Sequence, residues 1–459
     1  MNNNEELPLQ KNQIRRAVIE GWSSEAQGVC RIGGRAVFVK GAIPGETWDV
    51  RILKVTAGAV WARGETLLAP SPSRRVPDCP HFGVCGGCDT RHMTYDEELR
   101  FKLRRVNDAL SHIGRLDFRI ETILGAQQTD RCRAKCIFAV GERNGAPVTG
   151  FYRPRSHDLI PVEDCLLQPE LASRAASALR AFLQKHRIPV WDEARGKGLV
   201  RHLFVRAGLR TGQAQCVVVS AAGLGGCEQA LAQELRRACL ELTSIVLCIN
   251  PDPGNVVLNG TFRTLWGTDC ITEQLCSHRF ELAPQAFFQI NPPQAERLYE
   301  KAVEYAAPQP GDTVLDLYCG AGSISLCLAD TGCEVIGAEV VPEAVENARR
   351  NAAANGMEHV RFLLGDAGEA AAELAKRGVR PAAVVVDPPR KGLSGQVIES
   401  VVQMQPARVV YVSCDPGTLA RDLRLFDEAG YHPAAGTAVD MFPRTRHVET
   451  VVLLSRKNT

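Results

Sequence analysis

The spacing of apolar and polar positions changes character along the chain, and each change marks a different kind of element. Up to about residue 69 the apolar residues alternate in short runs (RRAVIEGW, GVCRIGGRAVFVKGAIPG, TWDVRILKV, AVWARGETLL) broken by glycine-rich turns. Period-two runs with no helical period predict a small β-barrel over 11–69, and an oligonucleotide-binding barrel is one such architecture. From Tyr95 to Ile113 the period lengthens to that of an amphipathic helix, with Leu99, Leu103, Val106 and Leu110 on one side and Arg100, Lys102, Arg104 and Arg105 on the other. Residues from about 130 to 285 mix strand-like runs (LVRHLFVRAG, QCVVVSA, SIVLCIN, NVVLNG) with two helical ones (LASRAASALRAFLQKH, CEQALAQELRRACLEL), which predicts an α+β region. Beyond Asp312, strand and helix alternate regularly, the order of a doubly wound, mostly parallel sheet. The expected fold is therefore multidomain α/β: a barrel at 11–69, a central α+β domain at 70–285, and a nucleotide-type α/β domain at 286–459. Helix 95–113 is counted with the central domain, with packing on the C-terminal domain as the alternative.

Charge changes this picture only locally. The net charge of +2 over 459 residues announces no nucleic-acid binder. From Lys11 to Arg75, however, Lys11, Arg15, Arg16, Arg31, Arg35, Lys40, Arg51, Lys54, Arg63, Arg74 and Arg75 outnumber Glu20, Glu25, Glu46, Asp49 and Glu65. A basic module of this kind suits phosphate contact, and a solvated barrel surface is the competing explanation. A polar start (Met1 to Asn12), no signal-type apolar core and no apolar run of membrane length point to a cytoplasmic protein with no membrane partner. In that compartment the 17 cysteines are expected as core thiols, metal ligands or catalytic groups rather than disulfides.

Candidate chemistry gathers where the predicted strands of the last domain stop. The run VVYVSCDP is a buried strand that ends at Cys414, because Asp415-Pro416 cannot continue a ladder. In open α/β sheets, ligands bind outside the carboxyl ends of the strands. The first strand of the domain runs into Cys319-Gly320-Ala321-Gly322, where missing side chains admit a ligand near a helix N-terminus. The next strand ends at Glu339, about 20 residues beyond the glycines, where an acid can bond ribose hydroxyls. The GxGxxG spacing of dinucleotide folds is missing. DLYCGAG, then an acid, then Asp366 in a Gly-Asp pair fits an S-adenosylmethionine site better, with Asp366 at the adenine.

Asp387-Pro388-Pro389-Arg390 closes another strand, with Arg390 where enzymes that methylate exocyclic amines usually carry an aromatic. That favours attack on a ring carbon. Carbon C5 of uracil becomes nucleophilic only after a thiolate adds at C6, and a base must then remove the C5 proton. Cys414 supplies the thiol, and Glu449, after His447 in DMFPRTRHVET, is the candidate base.

A second cysteine group lies at CPHFGVCGGC, with five residues between Cys79 and Cys85 and two between Cys85 and Cys88. Three thiols among glycine and proline turns suggest metal ligation, one ligand short. Cys165 in PVEDCLLQ is the attractive fourth, and Cys132 and Cys136 in RCRAKC are alternatives. Spacing alone does not separate zinc from an iron–sulfur cluster.

Taken together, CPHFGVCGGC, AFFQIN, DLYCGAG, DPPR, SCDP and FPRTRHVET resemble the RNA uracil-5-methyltransferase family, specifically its iron–sulfur branch with a TRAM domain, over nearly the whole chain. The resemblance implies that Cys414 is the nucleophile and Glu449 the base. It places Gln289, Tyr318, Glu339 and Asp387 at S-adenosylmethionine positions. It also implies a four-iron four-sulfur cluster on Cys79, Cys85, Cys88 and Cys165. The chain looks like members that act on 23S rRNA, with tRNA as the alternative substrate, and a monomer is expected. Ser323 departs from the asparagine common at that cofactor contact, and RCRAKC departs from the Tyr-Arg-Asn run of relatives, which implies altered RNA contact. Different in class is a catalytically idle RNA-binding or cluster-sensing protein, which the joint presence of Cys414, Glu449 and Asp387 argues against.

Overall fold

The computed structural model describes residues 8–193, 195–252, 254 and 256–456. Of the polar start read at Met1 to Asn12, residues 1–7 lie outside the described residues. Two compact units are present: one of residues 1–107 with Arg444–His447, the other of residues 108–443 with 448–459.

In the first unit, alternation produces one six-stranded sheet in the order Ile14–Val18, Thr47–Val55, Val60–Ala69, Arg35–Lys40, Gln27–Ile32, Gly21–Trp22. All neighbours are antiparallel except Arg35–Lys40 with Val60–Ala69. The inward residues Ala17, Cys30, Val37, Val39, Val50, Ile52, Val60 and Ala62 form a single core.

Helix Tyr95–Ala109 follows, with Asp96, Glu97 and Glu98 in its first turn, where acids favour the positive end of the helix dipole. Its buried face differs from the one expected. Phe101, Lys102 and Val106 are fully buried, whereas Leu99 and Leu103 are only half-buried. Lys102 is therefore not on a solvated side. Its ammonium pairs with Glu98 at 2.8 Å, one helical turn back, with both side chains inaccessible to water. Glu98 also accepts the backbone N–H of Arg444 at 2.7 Å. A second fastening acts on the same short segment, since Asp89 accepts from the Arg446 amide and guanidinium, each at 3.1 Å.

The second unit begins as the helix ends. Leu110–Gly114 form one π-helical turn, closed by Arg115 in the left-handed region (φ 55°). A seven-stranded sheet follows, with helices Glu170–Lys185 and Glu228–Ala238 packed on one of its faces. This is the expected α+β arrangement, with one strand displaced. The NVVLNG run forms turns after Val256, and the strand starts at Thr261 instead, beyond Gly260. Asn255 of that run lies outside the described residues.

The C-terminal sheet carries the chemistry, and its main strands are β1 (Thr313–Leu317), β2 (Glu334–Glu339), β3 (Arg361–Leu364), β4 (Ala383–Val386), β5 (Arg408–Ser413), β6 (Tyr431–Val439) and β7 (Glu449–Arg456). Their order is β3-β2-β1-β4-β5-β7-β6, with the short strand Thr122–Leu124 added at the β6 edge. The first five are mutually parallel, and β7 runs antiparallel to both β5 and β6. Parallel strands covered on both faces must be apolar throughout, which is why β4 reads AVVV and all four side chains are buried. Helix Pro292–Ala306 buries Gln294, whose amide donates to Leu124 O (3.0 Å) and Asp440 O (3.1 Å) and so fixes the β6 edge of the sheet.

Candidate active site

Most sequence-predicted groups of the last domain lie at or just beyond the carboxyl end of a parallel strand, whereas Glu449 opens the antiparallel β7 and Gln289 precedes helix Pro292–Ala306. At the end of β1 the chain turns sharply: Tyr318 takes φ 69°, Gly320 φ 55° and Gly322 φ 83°. The Tyr318 and Cys319 amides both donate to Ala338 O of β2, at 2.9 and 3.1 Å. At Gly322 a side chain is excluded twice over, by its left-handed backbone and by Phe362, whose ring would lie 3.0 Å from an added Cβ. Glu339 closes the loop from the next strand, accepting Gly320 N at 3.1 Å and Val341 N at 2.9 Å. Asp366, exposed after β3, caps the following helix by accepting Gly368 N at 2.8 Å.

Ser323 and Gln289 converge on one residue that carries no motif. Ser323 Oγ donates to Tyr299 OH at 3.1 Å, and Gln289 bonds the same phenol. Tyr299 is buried in helix Pro292–Ala306, near Asp387. Helical spacing alone marks Tyr299 as core, so no sequence motif could have found it.

The reacting end of the site lies on β4, β5 and β7. Asp387 follows β4 and donates its amide to Leu317 O of β1 at 3.2 Å. Cys414 follows β5, and Asp415 turns the chain by accepting Gly417 N and Thr418 N, each at 3.0 Å, with Pro416 opening the next helix. Glu449 is the first residue of β7 and is 5 % exposed. The β5–β7 ladder ends with Ser413 opposite Thr450, so Cys414 and Glu449 are the next residues beyond its end, near enough for the Glu449 charge to act on the Cys414 thiol.

Burial dominates the electrostatics of these groups. The Glu449 carboxyl is pushed up to about 8, first by loss of water, then by the Asp387 charge, with Arg390 acting in the opposite sense. Asp387 rises to about 7, by burial and then by Asp316. Asp316, on β1 and fully buried, rises to about 7 by burial, partly offset by the Ser325 hydroxyl that donates to it at 2.5 Å. The Cys414 thiol rises to about 11 by burial and by the Glu449 and Asp387 charges, while a hydrogen bond from Arg390 acts against the rise. Arg390 thus stands beside the thiol. A thiol beside a guanidinium can add to an electron-poor ring, and a nearby carboxyl poised near neutrality can then accept a proton from that ring.

The cysteines divide into two kinds. Cys30 and Cys132 are buried and pushed up to about 11, and Cys136 is also pushed well up, in each case mainly by burial. Cys79, Cys85, Cys88 and Cys165 are only half-buried. Gly87 N–H donates to Cys85 Sγ at 3.4 Å, which suits a thiolate. Among the described residues, no group of three or more His, Cys, Asp or Glu side chains is arranged to hold a metal ion. The RCRAKC segment has a different use. Arg131 pairs with Asp164 at 2.5 Å and donates to Cys165 O at 2.9 Å and Gln168 O at 3.1 Å, so it holds the turn that carries Cys165.

The sheet order, the glycine turn and the acid ending β2 define a class I methyltransferase fold. Residues 264–457 match the family described as tRNA (Uracil-5-)-methyltransferase, and residues 8–65 match the TRAM domain. The chain is 38 % identical over 450 residues to an uncharacterized RNA methyltransferase of Clostridium tetani, and 39 % identical over 450 residues to one of Bacillus cereus, covering 98 % of both chains in each pairing. It superposes with a TM-score of 0.77 and 27 % identity on the Pyrococcus abyssi tRNA (uracil-54, C5)-methyltransferase solved with S-adenosyl-L-homocysteine, over 96 % of this chain and 99 % of that one. The chain belongs to the TRAM-containing RNA uracil-5-methyltransferase family. No helix among the described residues is long and apolar enough to cross a membrane.

Proposed function

We propose that this enzyme transfers a methyl group from S-adenosylmethionine to C5 of a uridine in 23S rRNA through a covalent bond between Cys414 and C6. The observation that supports this reading is that Cys414 and Glu449 flank the last pair of the β5–β7 ladder, with the Glu449 charge acting on the thiol. Arg390 favours the thiolate, which adds at C6 and pushes electron density onto C5. C5 attacks the methyl group and S-adenosylhomocysteine leaves as the S–CH3 bond breaks; Glu449 removes the C5 proton, and the thiolate leaves as the ring regains its double bond. Reaching the pocket requires the target base to leave any stack it occupies.

Tyr318, Ser323, Glu339, Asp366, Asp387 and Gln289 are the proposed cofactor contacts. The Glu339 carboxylate, already holding the glycine turn, keeps free lone pairs for ribose hydroxyls. Ser323 also donates to Tyr299, so its contact differs from the one an asparagine there would make.

A tRNA T-loop uridine is the second reading, favoured by the structural neighbour from Pyrococcus abyssi, a tRNA (uracil-54, C5)-methyltransferase. Mapping 5-methyluridine in rRNA and tRNA of a strain lacking the gene tests both. Loss from 23S rRNA alone is expected, loss from tRNA alone would transfer the assignment, and loss from neither would refute both.

We further infer that Cys79, Cys85, Cys88 and Cys165 hold a four-iron four-sulfur cluster, supported by the contrast between these half-buried thiols and the buried Cys132 and Cys136. When bound, such a cluster supplies a covalent tie between segments distant in sequence.

A further inference from the structure

We propose that the outer face of the N-terminal sheet carries a stacking platform for unpaired nucleotides, built from Phe38 and Trp61 and edged by Lys54. This rests on the reading of the substrate as RNA. Phe38 and Trp61 are register partners on adjacent parallel strands. Alternation turns both outward, since their neighbours Val37, Val39, Val60 and Ala62 are at most 3 % exposed. The two rings lie 6.1 Å apart, centre to centre, tilted by 31°. Lys54 pairs with Trp61 from the other side, with its Nζ 5.6 Å from the indole centre. Two residues further along the same face, Lys40 pairs with Arg63.

The other tryptophans of this sheet are committed internally. Trp22 Nε1 donates to Glu97 and the ring packs on Phe101, while Trp48 Nε1 donates to Glu46 under the Arg74 guanidinium. Trp61, 36 % exposed, makes no hydrogen bond among the described residues. Part of its indole is thus open to solvent, beside Phe38 and Lys54.

Most nearby cations are also committed. Arg16, Arg51, Arg63 and Arg74 pair with acids, and Arg31, Arg35 and Lys40 donate to backbone carbonyls. Lys54 has no acidic partner among the described residues. Aromatic faces beside a free ammonium match a base and its phosphate, which commits the site to a single-stranded RNA segment.

The test uses the full-length enzyme and a labelled twelve-nucleotide oligoadenosine, which offers no uridine to the catalytic pocket. Trp61→Ala and Phe38→Ala should each weaken binding on the order of tenfold, and Trp61→Phe should stay within about threefold, since any π-face serves. Lys54→Gln should reduce the salt dependence by about one ion, which the aromatic variants leave alone. At saturating uridine-containing RNA, Trp61→Ala should keep the wild-type turnover with a raised KM. Unchanged oligoadenosine affinity in Trp61→Ala, with methylation intact, would overturn the platform alone. Failure of the wild type to methylate any RNA would overturn the RNA reading with it. Self-association that Trp61→Ala abolishes without altering RNA affinity would assign the face to a second copy of this chain.

Discussion

Cys414 and Glu449 lie 35 residues apart in the chain, yet both adjoin the Ser413–Thr450 pair that ends the antiparallel ladder of β5 and β7. Their proposed roles fall on opposite sides of methyl transfer, so losing each should stop the reaction at a different place. Cys414→Ala should bind cofactor and form no covalent species. Glu449→Gln, nearly isosteric, should transfer the methyl group and stall as a protein–RNA adduct on a denaturing gel. Rapid turnover by Glu449→Gln without adduct would move the base to another group, His447 first.

The Glu449 carboxyl, raised to about 8, must ionise before it can take the C5 proton. Decay of the methylated adduct should therefore speed up with pH, about tenfold per unit below 8, and level off above it. The measurement is a pH jump on preformed adduct, in which the Cys414 thiol is already bonded and cannot contribute its own titration. A rate independent of pH between 6 and 8 would refute the assignment.

Asp316 links the site to pH through stability. Its pKa near 7 in the folded state exceeds the ordinary carboxyl value, so the folded protein binds this proton more tightly than the unfolded chain. Its favourable contribution is complete below the unfolded pKa and is lost as pH rises through 7. Asp316→Asn cannot ionise, and should gain on the wild type by a few kcal/mol between pH 5 and pH 8, an order-of-magnitude figure read from urea denaturation. An identical stability difference at both pH values would contradict this.

Tyr299 joins Ser323 and Gln289 from a helix that carries no motif. Tyr299→Phe removes the shared hydroxyl and leaves both partners short of a hydrogen bond in a buried place. S-adenosylhomocysteine affinity, measured by calorimetry, should fall about tenfold, corresponding to roughly 1–2 kcal/mol. Wild-type affinity would show that the phenol only packs.

Anaerobically purified protein should be brown and carry roughly four iron atoms per chain if four thiolates hold a cubane cluster. Cys85→Ser should lower both iron content and thermal stability, because ligation ties segments far apart in sequence. Stoichiometric zinc without iron would exclude the cluster.

The sequence by itself determined the elements whose causes are local. Apolar runs such as AVVV before Asp387 are strands because both their faces are buried, and DLYCGAG turns where glycines allow left-handed backbone. SCDP stops a strand because an aspartate caps a helix and a proline opens it. Cys414, Glu339 and Asp387 could be picked out for that reason. Tertiary structure decided what depends on partners remote in the chain. Lys102, at a position that helical period assigns to water, is buried because Glu98 neutralises it. The basic excess near the N-terminus is largely committed to acids and carbonyls that residue counting cannot pair. Tyr299 meets Ser323 and Gln289 only once helix and strand pack, and Cys414 comes near Glu449 only through strand register, which is set by long-range hydrogen bonds and carries no local signature.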